Sequence, residues 1–227
     1  MMSTGRKLVI AIDGPAGSGK STIAARLAKK LGYVNLESGA MYRALALKAL
    51  EQQVSLENPE ALRDLALNTS IDLEPQPDGN RVLLDSRDVS QRIRQGDVTL
   101  AASRVSIHPP VRQIMVARQR AMGAAGGVVM EGRDIGTAVF PNADVKVFLD
   151  ADARVRAERR VAQNGTLAPE EAQRTIEDLV ARDQRDRTRA VSPLVPAADA
   201  VIIDSTDLSI DDAVSRVEQL VDQRFSS

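Results

Sequence analysis

The stretch Gly14-Pro15-Ala16-Gly17-Ser18-Gly19-Lys20-Ser21 matches the phosphate-loop pattern G-x-x-x-x-G-K-[ST] at every position. Its surroundings decide what the match means. Upstream, Lys7-Leu8-Val9-Ile10-Ala11-Ile12-Asp13 is a short apolar run that reads as a buried strand. Downstream, Ile23, Leu27 and Leu31 share one face of a helix that begins at Ser21 and stops at Gly32. Strand, glycine loop and helix in that order make a cradle. Backbone N–H groups curl around a phosphate, and the helix N-terminus adds favourable partial charge. In such a cradle Lys20 reaches the outer phosphates of a nucleoside triphosphate, Thr22 flanks the loop, and the Ser21 hydroxyl ligates Mg²⁺.

Composition removes several alternatives. The 227 residues are enough for one large domain with lobes inserted in it. Aromatic residues are 2% with no Trp, so the core has to be aliphatic. No cysteine is present, which excludes disulfides, thiolate metal sites and a cysteine nucleophile. The one histidine, His108, stands beside Pro109-Pro110 and reads as a loop residue, so no histidine-based triad is expected. A net charge of −1 argues against a general nucleic-acid binder. No apolar run reaches the length of a membrane span, and Met1 to Lys7 holds no signal-peptide core. The expectation is a cytoplasmic enzyme with neither membrane nor nucleic acid as partner. Nothing in the sequence demands more than a monomer.

Beyond the first helix, Tyr33-Val34-Asn35-Leu36 reads as a second strand, and Glu37-Ser38-Gly39-Ala40-Met41-Tyr42-Arg43 opens a helix running to Gln53, with Ser38 as its N-cap. Arg43 falls close behind a strand end, where a parallel sheet places its ligands. Taken alone it is either a ligand for a second phosphate or a surface residue. Residues 58–67 form a helix started by Asn58-Pro59. The texture then changes. Ile71-Asp72-Leu73-Glu74 alternates, Pro75-Gln76-Pro77-Asp78-Gly79-Asn80 is a dense turn signal, and Arg81-Val82-Leu83-Leu84-Asp85 returns. With Asp88-Val89-Ser90 as a further short element, residues 70–95 read as a small antiparallel patch inserted into an alternating α/β chain.

Helices over 97–105 and 110–122 follow, holding Ser103 and Arg112, neither of which signals anything in isolation. Val128-Val129-Met130 is a buried strand, and Glu131-Gly132-Arg133-Asp134 stands at its end. An arginine and two carboxylates there lie on the ligand edge of the sheet. Val145-Lys146-Val147-Phe148-Leu149-Asp150 is another strand, whose Asp150 is either a magnesium ligand or the cap of the next helix. Ala200-Val201-Ile202-Ile203-Asp204 is the last strand, and residues 209–224 form a closing amphipathic helix. The sum is an α/β fold with five parallel strands near 8–13, 33–36, 127–130, 145–150 and 200–204, covered by helices on both faces.

Between the last two strands lies a helical hairpin of basic character, broken at Asn164-Gly165-Thr166 and restarted at Ala168-Pro169-Glu170-Glu171. Arg156, Arg159 and Arg160 share a face of its first arm, and Arg182, Arg185, Asp186 and Arg189 share a face of its second. Two such arms read as a lid that brings arginines over phosphates in transfer and excludes water. Arginine suits this better than lysine because its fork grips phosphate oxygens bidentately.

The loop with Ser38-Gly39-Ala40-Met41-Tyr42-Arg43, then Gly132-Arg133-Asp134-Ile135-Gly136-Thr137, then Arg182-Asp183-Gln184-Arg185-Asp186-Arg187-Thr188-Arg189, resembles the bacterial cytidylate kinases, a branch of the P-loop nucleoside monophosphate kinases. The resemblance covers about residues 8–222. It implies a P-loop NTPase fold with a core over about 1–36, 97–150 and 190–227, a monophosphate-binding lobe over about 37–96 and a lid over about 151–189. It implies phosphorylation of CMP and dCMP by ATP with Mg²⁺, in pyrimidine nucleotide metabolism. On this resemblance Gly14 to Thr22, with Arg156 and Arg160, bind ATP. Lys20, Arg133, Arg159 and Arg182 are catalytic. Ser103, Arg112 and Asp134 read the cytosine edge, and Arg43, Arg133 and Arg189 hold the acceptor phosphate. Arg182 and Asp186 contact the sugar, and Ser38 belongs to the same acceptor site. Glu37 and Glu131 stand where the family pattern has aspartate, which lengthens each carboxylate's reach by one methylene. Two other readings are a kinase for UMP, dTMP or another small acceptor, and a guanine-nucleotide switch. The switch lacks its usual Asn-Lys-x-Asp motif here.

Overall fold

The computed structural model describes residues 7–76, 79–163, 165 and 168–225. Pro77 and Asp78 of the turn signal, Asn164 and Thr166 of the break between the hairpin arms, and the first six residues lie outside them.

Alternating apolar segments build one parallel sheet from β1 (Val9–Asp13), β2 (Val34–Glu37), β6 (Val128–Gly132), β7 (Val145–Asp150) and β8 (Val201–Asp204). Its order is β2-β6-β1-β7-β8, and every pairing is parallel. The chain leaves β1 for β2 on one side and later reaches β7 on the other. The carboxyl edge around β1 and β6 is therefore the crevice that such sheets use for ligands. Alternation along β1 splits the interior into two layers. Ile10 and Ile12 face α1 (Lys20–Leu31) and α8 (Ile210–Phe225), where Ile23, Leu27, Val217 and Val221 are buried. Ala11 faces the other way, towards Met130, Ile135 and Val139.

Two helix ends follow their sequence signals. Gly32 adopts a left-handed conformation as the C-cap of α1. Asn58 accepts from Ala61 N at the start of α3 (Pro59–Leu67). Ser38 does not act as a cap. It is the first residue of α2 (Ser38–Glu51), and Glu37 occupies the cap position without a side-chain cap bond. The cap of α6 (Ala153–Gln163) is Asp152, which accepts from Arg154 N, rather than Asp150.

The inserted patch is a second, antiparallel sheet of β3 (Ile71–Gln76), β4 (Gly79–Leu84) and β5 (Arg87–Asp88). It shares a core with α2, α3, α4 (Gly96–Val105) and α5 (Pro109–Gly123), where Met41, Leu45, Leu62, Val82, Val98 and Met115 are buried. The basic hairpin is α6 followed by α7 (Pro169–Thr188). Residues Ile135–Val139, directly after the Arg133-Asp134 pair, form a short π-helical turn that no periodicity in the sequence announces. Among the described residues no helix is long and apolar enough to cross a membrane.

Candidate active site

The carboxyl edge of the sheet opens into a cleft of about 610 Å³. The phosphate loop forms its floor. Gly17 and Gly19 have φ of +78° and +95°, a region open to glycine at little cost. A Cβ at Gly17 would also meet the Arg156 carbonyl oxygen at 2.7 Å, so the loop can pass beneath α6 only without a side chain there. Lys20 donates to Pro15 O at 2.6 Å and is buried. Burial, with Arg133 nearby, pulls its amine down to about 7. The Ser21 hydroxyl donates to Glu131 Oε1 at 2.8 Å. Burial and the neighbouring Glu37 push the Glu131 carboxyl up.

A second half-site faces this floor. Glu37, at the end of β2, pairs with Arg43 of α2 and lies 3.5 Å from Arg94. Burial opposes its charge, but Arg43, Arg94 and Arg182 outweigh burial and hold it below the usual carboxylate range. Beyond β6, Arg133 donates through Nε to Asp186 Oδ2 at 2.9 Å, and Arg182 stands 3.9 Å from the same carboxylate. Burial beside Arg133 lowers Arg182 to about 10. Asp134 pairs with Arg112 and lies 3.6 Å from Arg189. The Arg112 guanidinium also stands over the Tyr42 ring, 5.5 Å from its centre. Ser103 on α4 accepts from Arg185 of α7 at 2.9 Å.

Many of these groups are buried and still incompletely paired. Arg43 Nε, Arg112 Nε, Arg182 Nε, Arg189 Nη2 and Tyr42 Oη have no hydrogen-bond partner among the described residues. Buried donors are ordinarily satisfied. Four arginine donors left open around one cleft is the arrangement of a site that awaits an anion.

The cleft brings together all nine residues expected for the acceptor: Ser38, Arg43, Ser103, Arg112, Arg133, Asp134, Arg182, Asp186 and Arg189. It also gathers Ala16, Gly17, Gly19, Lys20, Ser21, Thr22 and Arg160 from the donor set. Gly14, Pro15 and Ser18 lie on the underside of the loop, with Ser18 Oγ donating to Pro15 O at 3.0 Å. Two arginines are used elsewhere. Arg156 binds Ala151 O at 3.0 Å and Ala16 O at 3.1 Å and pairs with Asp183 of α7. Arg159 binds Ser205 O at 2.7 Å. Neither lines the cleft. Asp150 is outside the cleft as well, accepting from Ala151 N at 2.9 Å.

Three residues of the site carry no assignment from the sequence. Arg185 lies on the arginine-rich face of α7, so the signal was present. Arg94 sits in the short turn Arg92–Arg94 and had none. Asp13 is buried behind the site, accepting from Ile135 N at 2.8 Å and Gly136 N at 2.7 Å, and burial raises it to about 6. It ties the end of β1 to the turn behind Arg133 and Asp134. Only the fold reveals that contact.

The comparisons with known proteins agree with this geometry. The family model described as cytidylate kinase matches residues 10–223. A cytidylate kinase of Geobacillus kaustophilus is 48% identical over 97% of this chain and 99% of its own. One from Geobacillus sp. is 49% identical over 95% of this chain and 97% of its own. One from Enterococcus faecalis is 49% identical over 96% and 97%. Match, coverage and cleft concur: the chain belongs to the cytidylate kinase family.

Proposed function

We infer that the protein transfers the γ-phosphoryl group of ATP to the phosphate of CMP or dCMP, giving ADP and the corresponding diphosphate. The observation that carries this reading is the placement of open arginine donors opposite Lys20, across one cleft. A protein that only holds a triphosphate has no use for that second cationic group. The phosphate loop is the donor side. The unit over about 37–96 is the acceptor lobe, and the α6–α7 hairpin, about 151–189, is the lid.

The acceptor oxygen needs no strong base, since the second phosphate pKa is about 6. Catalysis is then alignment and neutralisation of charge. Lys20 follows the transferring group. Arg43, Arg133 and Arg189 hold the acceptor phosphate, and Arg182 with Asp186 positions the sugar. Arg160 binds ATP from a position where it feels the charge of Arg43. Arg156 and Arg159 reach nucleotide only if α6 turns away from Ala16 and Ser205. Asp134, Arg112 and Ser103 read the base. Cytosine offers an amino donor beside two acceptors, which a carboxylate next to a guanidinium complements. Uracil puts a carbonyl oxygen where the amino group was, facing Asp134, and a site built on hydrogen bonds rejects such a mismatch strongly.

Ser21 Oγ and the Glu131 carboxylate, 2.8 Å apart, are hard oxygens that would hold Mg²⁺ together with the nucleotide. Among the described residues there is no cluster of three or more His, Asp or Glu, so the protein side fits an ion shared with the nucleotide rather than one caged alone. When bound, Mg²⁺ neutralises charge on the triphosphate. Incubation with CMP, ATP and Mg²⁺ is expected to yield ADP and CDP in equal amounts, resolved by anion-exchange chromatography. ATP loss without CDP overturns the reading.

A further inference from the structure

Asn80 is a buried polar side chain outside this machinery. Along β4, Asn80, Val82 and Leu84 occupy the buried face. An asparagine in that company is out of place by both strand preference and burial. Its position explains it. β2 is the edge strand of the main sheet, so one rail of its backbone has no strand beside it. Asn80 fills two positions on that rail: its Oδ1 accepts from Glu37 N at 3.0 Å, and its Nδ2 donates to Asn35 O at 2.7 Å. One primary amide does what a residue of a neighbouring strand would do. It joins the inserted sheet to the main sheet.

The joint lies where the acceptor half-site begins. Glu37, whose N–H Asn80 holds, pairs through its carboxylate with Arg43 and reaches Arg94, and Ser38 follows directly. We propose that Asn80 is a positioning residue for the acceptor phosphate, docking the inserted lobe on β2 so that Glu37 holds Arg43 against the cleft. The inference rests on the kinase reading given above. The donor half hangs on β1 and α1, which Asn80 does not bond, so its influence is one-sided.

The test is Asn80→Val, which puts an apolar strand former on the buried face of β4 while removing both bonds. KM for CMP and for ATP are measured separately, together with kcat and the thermal midpoint. The expected result is a KM for CMP raised about tenfold with KM for ATP within about twofold, the size expected for losing one or two bonds at a positioned group. In an Arg43→Ala background the same substitution adds less than about twofold, because Arg43 is the group it acts through. If Asn80→Val does not fold, Asn80→Ser, whose shorter hydroxyl keeps at most one of the bonds, is read by the same criteria. A folded variant with unchanged KM for CMP, equal rises for both substrates, or full additivity with Arg43→Ala overturns the proposal. A wild-type protein inactive on CMP removes the kinase reading and this inference together. An active wild type with an unaffected variant removes the inference alone.

Discussion

Lys20 is buried beside Arg133 and Arg182, with Glu131 and Asp13 partly offsetting them. Its amine is held at about 7, so a sizeable fraction is neutral at physiological pH in the free protein. Triphosphate binding adds negative charge beside it and restores the proton. The sign follows: the protonated fraction of the free form falls as pH rises through about 7, and ATP binding takes up a proton above that pH. Calorimetry of ATP binding at pH 8 in two buffers of different ionisation enthalpy is expected to report net proton uptake, and kcat/KM for ATP should decline above pH 7. Lys20→Ala is expected to lower kcat about a thousandfold, the scale for removing a donor that meets charge developing in the transition state, with circular dichroism unchanged. Asp134 belongs to the other half-site, paired with Arg112 and near Arg189. Asp134→Ala should raise KM for CMP at least about tenfold and leave KM for ATP within about twofold. Equal effects on both would remove it from base recognition.

At the level of elements, the α6–α7 hairpin is held to the phosphate loop by Arg156, which reaches Ala16 O and Asp183 at once. Both partners of that ion pair are buried. Removing one leaves a buried charge without its counterion, so Asp183→Ala should cost about 3 kcal/mol in urea unfolding. A midpoint and slope equal to wild type would mean the hairpin is anchored by other contacts. Legibility in the sequence differed between elements for physical reasons. The arginine face of α7 follows from helical spacing, since Arg182, Arg185, Asp186 and Arg189 all reach the cleft. Arg156 and Arg159 obey the same spacing on α6 and do not, because spacing places a residue on a face without saying what that face meets. The π-helical turn 135–139 was invisible because its backbone is fixed by Asp13, 122 residues earlier in the chain. The Asn80 bridge is illegible in the same way, since it joins two sheets across 43 residues.

For the whole molecule, the five parallel strands, the helices on both faces of the sheet and the inserted antiparallel patch followed from local pattern. The mutual placement of the half-sites did not. The groups proposed for the donor come from the loop between β1 and α1, those proposed for the acceptor from α2, α4, α5, the end of β6 and α7, and the cleft lies where the lobe and hairpin meet the sheet. A ligand that bridges such units stabilises the folded state by mass action. CMP at about a hundred times its dissociation constant should add about 2.7 kcal/mol to unfolding, and UMP at the same concentration should add less. The central claim is that this cleft selects a cytidine monophosphate as phosphoryl acceptor. It is tested most directly by initial ADP release with saturating ATP and Mg²⁺ across CMP, dCMP, UMP, dTMP, AMP and GMP. The account predicts the highest kcat/KM for CMP or dCMP, with UMP well below. A clear preference for any acceptor without a cytosine base would contradict it.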